Sequence, residues 1–321
     1  MRVHLPNSAR LQNIEAFLSE FSPEQPGVLD FSMHDRWVAV HPAVLAFTAS
    51  VADMVTRNGG EHRGEVHNIR SVPYLIRMGL FDHVCIPHHI SITAHEEAGR
   101  FIPLSRISTS RELSDFIVHM IPLLHAQPQQ VEPIRYVISE IVRNVLEHAQ
   151  CPGGAFLCAQ YFRSSGILSI GVADAGIGIQ HTMSQCHRVP TAWDALVLAL
   201  TPGYSGTTSR IGGTAYNAGA GLFFTKSIAC ASRNYFILYS GNALFKLKPI
   251  RAGRQVVLYA NPLEDHHTKR VNMPEWQGTL VGIDIQLETD IMFAALMGAI
   301  REAYSVDVKR KKDEYKRPTF V

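Results

Sequence analysis

Residues 132–149 read EPIRYVISEIVRNVLEHA, and the spacing inside this stretch decides the fold. Ile134, Val137, Ile138, Ile141, Val142, Val145 and Leu146 recur at i, i+3, i+4 and i+7. That is the period of a helix with one buried face. Glu140, Asn144 and His148 recur at four-residue steps on the other side, so they share one polar stripe.

Toward the C terminus, Cys151-Pro152-Gly153-Gly154 stops this helix. Ala155–Arg163 and Gly166–Ala173 then read as two strands joined at Ser164-Ser165-Gly166, a hairpin. A polar, glycine-rich stretch covers 201–219, and a helix follows from Gly221 to Ala231. Strands are expected at Tyr235–Tyr239, Leu244–Lys248, Gln255–Tyr259 and Thr279–Leu287, then a helix near 290–304. The chain ends in a charged run, Lys309-Arg310-Lys311-Lys312-Asp313-Glu314, expected as a solvated tail.

Toward the N terminus, Phe101–Leu104 reads as a strand and Ser110–His125 as a helix. Before them come a helix within 8–21 and strand material at Val28–Val40. Pro42 opens a helix to Arg57, stopped by Asn58-Gly59-Gly60. A short strand at Glu65–Ile69, a helix from Pro73 to Phe81 and a strand at Val84–Pro87 complete a β-α-β-α order. The expected fold class is α/β. Its expected units are a small α/β domain over 1–100, a two-layer α/β sandwich over 101–305 and a charged tail over 306–321.

The bulk numbers exclude several classes. Hydrophobic residues make up 46% of the 321 and charged ones 18%, which suits globular cores rather than disorder. A net charge of +2 gives no electrostatic reason to expect nucleic acid. Cys85, Cys151, Cys158, Cys186 and Cys230 are odd in number and form no CxxC pair, as expected of reduced thiols. No basic-then-apolar leader and no apolar run of ~20 residues is present, so the expectation is a cytoplasmic protein with no membrane segment. The paired histidines His88-His89 and His266-His267, and His181 and His187 around Cys186, read as surface residues rather than a zinc site.

Three segments carry chemistry. On the polar stripe, the amide oxygen of Asn144 suits Mg²⁺, a hard ion, and the carboxylate of Glu140 can polarise an attacking water or hydroxyl. A solvated helix face is the plain alternative here, and a plain turn is the alternative for each of the two glycine-bearing segments that follow. Gly171-Val172-Ala173-Asp174-Ala175-Gly176-Ile177-Gly178 places an acid at a strand end, where it can accept from an exocyclic amine. The alternating glycines there let backbone approach a flat ligand. Asn217-Ala218-Gly219-Ala220-Gly221-Leu222 opens a helix whose free N–H groups and dipole suit a polyphosphate. No Gly-Lys dipeptide, GxGxxG or His-Arg-Asp loop is present, which leaves out P-loop, Rossmann and protein-kinase sites.

Taken in order, these segments resemble the GHKL superfamily of gyrase, heat-shock chaperone, histidine kinase and MutL ATP-binding domains. The likeness rests on Glu140-x-x-x-Asn144-x-x-x-His148, Asp174-x-Gly176-x-Gly178, Gly219-x-Gly221-Leu222 and Gly278-Thr279, in family order. The resemblance implies the Bergerat-type fold and Mg·ATP as ligand. It makes Asn144 the metal ligand and Glu140 the general base. It has Asp174 read adenine with support from Thr279, while Gly176 and Gly178 shape the adenine wall. Gly219, Gly221 and Leu222 would close the phosphate side, and 201–218, with Gly212-Gly213, would be a mobile lid. Lys226 reads as a solvated lysine or a phosphate contact.

Glu140 argues against a sensor histidine kinase, and neither His119 nor His125 is a clear phospho-acceptor. An ATPase whose lid closure switches a protein partner or a homodimer is the leading expectation. The alternatives are an anti-sigma-factor type serine/threonine kinase acting on a STAS-domain partner and a non-hydrolysing nucleotide-gated module. The N-terminal unit, with its β-α-β-α order and the run from Tyr74 to Phe81, resembles the STAS-type regulatory domain.

Overall fold

A computed structural model describes residues 1–25, 27–92, 101–124, 128–209, 220–251, 253–287 and 293–316. In chain order the N-terminal elements are β1 (Arg2–Leu5), β2 (Ser8–Ala9), α1 (Ile14–Glu20), β3 (Val28–Met33), β4 (Ala39–Val40), α2 (Pro42–Arg57), β5 (Glu61–Gly64), α3 (Val72–Arg77) and α4 (Leu80–Val84). Then follow β6 (Phe101–Ile107), α5 (Ser110–Met120), α6 (Pro128–His148), β7 (Ala155–Phe162), β8 (Ile167–Asp174), α7 (Gly178–Ser184), α8 (Ala192–Ala199) and α9 (Gly221–Ala231). The last are β9 (Phe236–Gly241), β10 (Ala243–Leu247), β11 (His267–Arg270), β12 (Trp276–Gln286) and α10 (Phe293–Lys316).

The chain is mixed α/β. A seven-stranded antiparallel sheet has the order β11-β10-β9-β12-β8-β7-β6. A separate three-stranded parallel sheet has the order β1-β3-β5. The large sheet is apolar on both faces, with side chains alternating between them. Leu157, Leu168, Ile170, Val172, Val281, Ile283, Phe236, Leu238 and Phe245 share a core with Ile134, Val137, Ile138, Ile141 and Val142 of α6 and with Phe223 of α9. Phe156, Cys158, Ala173, Ile237, Tyr239, Leu244 and Leu280, one residue out of step, share the other core with α2 and the N-terminal unit.

The expected division near residue 100 therefore does not coincide with a break in packing. Helix α2 is buried at every position from Pro42 to Ala52, because one side meets the small unit and the other lies on the large sheet. Its first turn rests on bare backbone. Gly171 of β8 pairs with Gly282 of β12. A Cβ on Gly171 would stand 2.1 Å from the Ala43 nitrogen, and one on Gly282 would stand 3.0 Å from the Ala43 Cβ. The Asp284 carboxylate on this face accepts from the His41 ring at 3.1 Å and from the Ser169 hydroxyl at 2.5 Å. The His41 Nδ1 accepts from the Ala43 N–H at 2.9 Å, which caps α2 and leaves Nε2 as the protonated nitrogen facing Asp284. Lys246 pairs with Glu15 and donates to the Gln12 carbonyl at 2.8 Å.

Gly171→Ala should cost roughly 1–3 kcal/mol, because backbone rather than a flexible side chain fills the space its Cβ needs. Gly298→Ala on α10, where a Cβ meets nothing within 4 Å, serves as the control. Urea midpoints of the two variants measure this; equal midpoints would refute the seat.

Several expectations shift. The strand expected at Glu65–Ile69 is β5, four residues earlier. Where a strand is expected at Val84–Pro87, Val84 ends helix α4 and 85–87 join no sheet. Gln255–Tyr259 joins no sheet, while β11 takes the sheet edge. Short helices α7 and α8 occupy a stretch with no expected element. The charged run from Lys309 continues α10, which extends to Lys316, so it is helical rather than a free tail. All five cysteines are free thiols. No helix among the described residues is long and apolar enough to cross a membrane.

Candidate functional site

Helix α6 lies over the face of the large sheet that carries Asp174. Asp174 ends β8 with the same parity as Val172 and Ile170, so its side chain points toward α6. Directly across the ladder stands Thr279 of β12. Helix α9 packs along α6, and its first residue, Gly221, meets the polar stripe. A Cβ there would come to 2.6 Å from the Glu140 carboxylate and 3.5 Å from the Asn144 amide. Glycine thus lets the start of α9 close on those two side chains. No side chain caps α9, since Ala220 holds the cap position.

These elements enclose a cavity of about 310 Å³, within the range of small-ligand sites. Glu140, Asn144, Asp174, Gly178, Gly221, Leu222 and Thr279 all line it, as does His148. Gly176 stands behind the wall: its N–H donates to the Asp174 carboxylate at 2.8 Å, and a Cβ on it would stand 2.1 Å from the Ala149 carbonyl oxygen. Gly178 has φ +76, and a Cβ would stand 2.0 Å from the Gln277 carbonyl oxygen. Gly219 and 210–218, including Gly212-Gly213, lie outside the described residues.

Asp174 is 1% exposed. Burial pushes its carboxyl up to about 7 from the ordinary 3.8, and hydrogen bonds from the Gly176 N–H and from Thr279 partly offset that. Burial also raises Glu140, with Arg143 pulling it down and Glu147 pushing it up. Burial lowers His148, which favours the neutral ring. A buried carboxyl that titrates near neutrality and accepts from backbone at the cavity wall can recognise an amine donor. A half-buried carboxyl beside a helix N-terminus that no side chain caps can serve as a base near an anion.

Lys226 does neither of the things expected of it. It is 1% exposed, pairs with Asp265 and donates to the Tyr259 carbonyl at 3.0 Å, on the side of α9 away from solvent. Other lining residues had no part in the sequence expectations. Tyr136 stands one turn before Glu140 and continues its four-residue spacing, a signal the stripe already held. Thr182 and Met183 come from α7, and Tyr204, Ser205 and Gly206 from the segment after α8. The His187 ring nitrogen donates to the Ser205 carbonyl at 2.8 Å, and the Cys186 thiol to the Gly206 carbonyl at 3.2 Å. Those two residues therefore anchor backbone at the cavity rim. Among the described residues no group of three metal-ligating side chains comes together.

Compared with known proteins, the chain matches no family model and no curated protein.

Proposed function

We propose that the cavity binds Mg·ATP, that the chain is an ATPase of the GHKL type, and that lid closure over the nucleotide switches a protein partner. The observation that carries this reading is the convergence of four separated segments on one cavity, from Glu140 to Thr279. The buried acceptor Asp174, backed by Thr279, suits the adenine amino group. The uncapped start of α9 suits phosphates.

The residues present fit a magnesium ion bound with a nucleotide. Mg²⁺ keeps several waters and takes most of its protein-side charge from phosphates, so one amide oxygen, that of Asn144, is a sufficient anchor. The cradle left by the missing Cβ of Gly221 opens beside that amide. The ion would supply charge neutralisation on the phosphate oxygens. Glu140 would hold the nucleophile and take its proton, and burial, by raising its carboxyl, brings it closer to the working range of a base. A base is needed equally for water and for a protein hydroxyl, so phosphoryl transfer to a serine or threonine remains the second reading.

The test is titration of the purified chain with Mg·ATP. Asp174→Asn should weaken ATP by about a hundredfold or more with the fold retained, because the Gly176 N–H holds the one remaining oxygen and turns the new NH₂ donor toward the amine. The pH dependence follows from the shift. The ionised carboxylate accepts from the amine more strongly than the protonated acid, one of whose oxygens carries a proton, so wild-type affinity should rise from pH 6 to 8 as Asp174 loses its proton near 7. The nucleotide's own titration is common to both proteins, so the wild-type to variant ratio isolates Asp174. In the free protein the sign reverses. The folded state holds this proton more tightly than the unfolded one, so this group makes stability fall as pH rises from about 4 to 7. Asp174→Asn should make the slope shallower, Glu140 and Asp265 being raised by burial as well. Wild-type ATP affinity in the variant would refute the adenine role.

A further inference from the structure

The cavity carries a charge imbalance. Glu140, Glu147 and Asp174 line it, yet among the described lining residues Arg143 is the one lysine or arginine. A bound metal ion and the start of α9 offset part of the charge of a triphosphate. With Lys226 committed to Asp265, the side-chain cation left on the described walls is Arg143.

Arg143 directly precedes Asn144 and flanks the polar stripe of α6. Its Nε donates to the Glu147 carboxylate at 3.2 Å, and its Nη2 lies 3.2 Å from the same oxygen. The two side chains are 50% and 39% exposed, so solvent screens this i,i+4 pair and makes it cheap to break. A guanidinium offers two parallel N–H groups to a phosphate, and a phosphate carries more charge than the Glu147 carboxylate. Both partners face the same cavity, so the exchange needs only rotation about the Arg143 side-chain bonds, with no change in α6.

We propose that Arg143 is the phosphate-discriminating residue of this site, held by Glu147 until a polyphosphate draws it off. This rests on the nucleotide reading above and adds to it the residue that tells a triphosphate from a bare nucleoside. Glu147 is then a competitor for Arg143, and its charge lowers affinity for the anion.

The experiment measures binding of Mg·ATP, Mg·ADP and adenosine to wild type, Arg143→Gln and Glu147→Gln. Arg143→Gln should weaken Mg·ATP by roughly tenfold to a hundredfold, the span of one charge-assisted hydrogen-bonding group, with a smaller loss for Mg·ADP. Adenosine should bind as in wild type. Glu147→Gln should tighten Mg·ATP and leave adenosine unchanged. Raising salt should weaken Mg·ATP less steeply in Arg143→Gln than in wild type. Both side chains are at the surface, so circular dichroism and urea midpoints near wild type verify that the fold is kept. Arg143→Gln that binds Mg·ATP as wild type does, or that loses adenosine to the same degree, overturns the inference and leaves the adenine site standing. Wild-type protein that binds neither adenosine nor Mg·ATP overturns the nucleotide reading and this inference with it.

Discussion

Glu140→Gln should lower release of γ-phosphate from Mg·ATP by about 10²–10⁴-fold, the usual contribution of a general base, and leave nucleotide affinity within a few-fold of wild type. Glutamine keeps the shape of the side chain against Gly221, where the space beside the carboxylate is already close. What it removes is a group able to take a proton. With label on the γ-phosphate, the product names the nucleophile. Free phosphate means water, and label on a polypeptide means a protein hydroxyl. Turnover in Glu140→Gln equal to wild type would exclude the base role. Binding that vanishes together with turnover would make Glu140 a structural part of the pocket. An unaltered partner response in this variant, with turnover gone, would point to nucleotide gating as the function.

Removing the N-terminal unit should be the more drastic change. A chain beginning at Phe101 would uncover Phe156, Cys158, Ala173, Ile237, Tyr239, Leu244 and Leu280 on one face of the large sheet, together with Trp276. Trp276 now packs at 5.0 Å between ring centroids against Phe47 of α2 and at 6.0 Å against Phe21. Monomeric proteins rarely expose a contiguous apolar patch of that extent. The fragment should aggregate, or lose its cooperative urea transition, and should not bind Mg·ATP. It would also take the His41 ring from Asp284, and both Glu15 and the Gln12 carbonyl from Lys246. A monomeric fragment with a sharp transition and wild-type affinity would show that the second half folds alone.

How much of this was legible depended on range. The face of α6, the hairpin β7–β8 and the bounds of α9 follow from periods and turn residues a few positions apart, and the structure has all three. The convergence of Glu140, Asp174, Gly221 and Thr279 was expected from motif order, although no local pattern states that Thr279 pairs with Asp174. Other features depended on distant partners. Lys226 looks solvated until Asp265, 39 residues on, is placed beside it. Strand β11, HTKR, is an edge strand with no apolar alternation to announce it. Helix α8 did carry a signal: the Thr191 hydroxyl accepts from the Asp194 N–H at 3.1 Å, a cap readable as Thr-x-x-Asp. The shared core was least legible. Gly171 and Gly282 each look like a weak point in a strand, and their meaning as a seat appears only when both lie under α2.

That seat limits recombination between the two parts of the chain. A different N-terminal module joined to the second half would need a helix whose opening turn lies flat on naked peptide, and a different second half would need glycine at both places. Compatibility in any chimera is thus decided by the size of two side chains beneath a helix, while the length of the joining segment matters little.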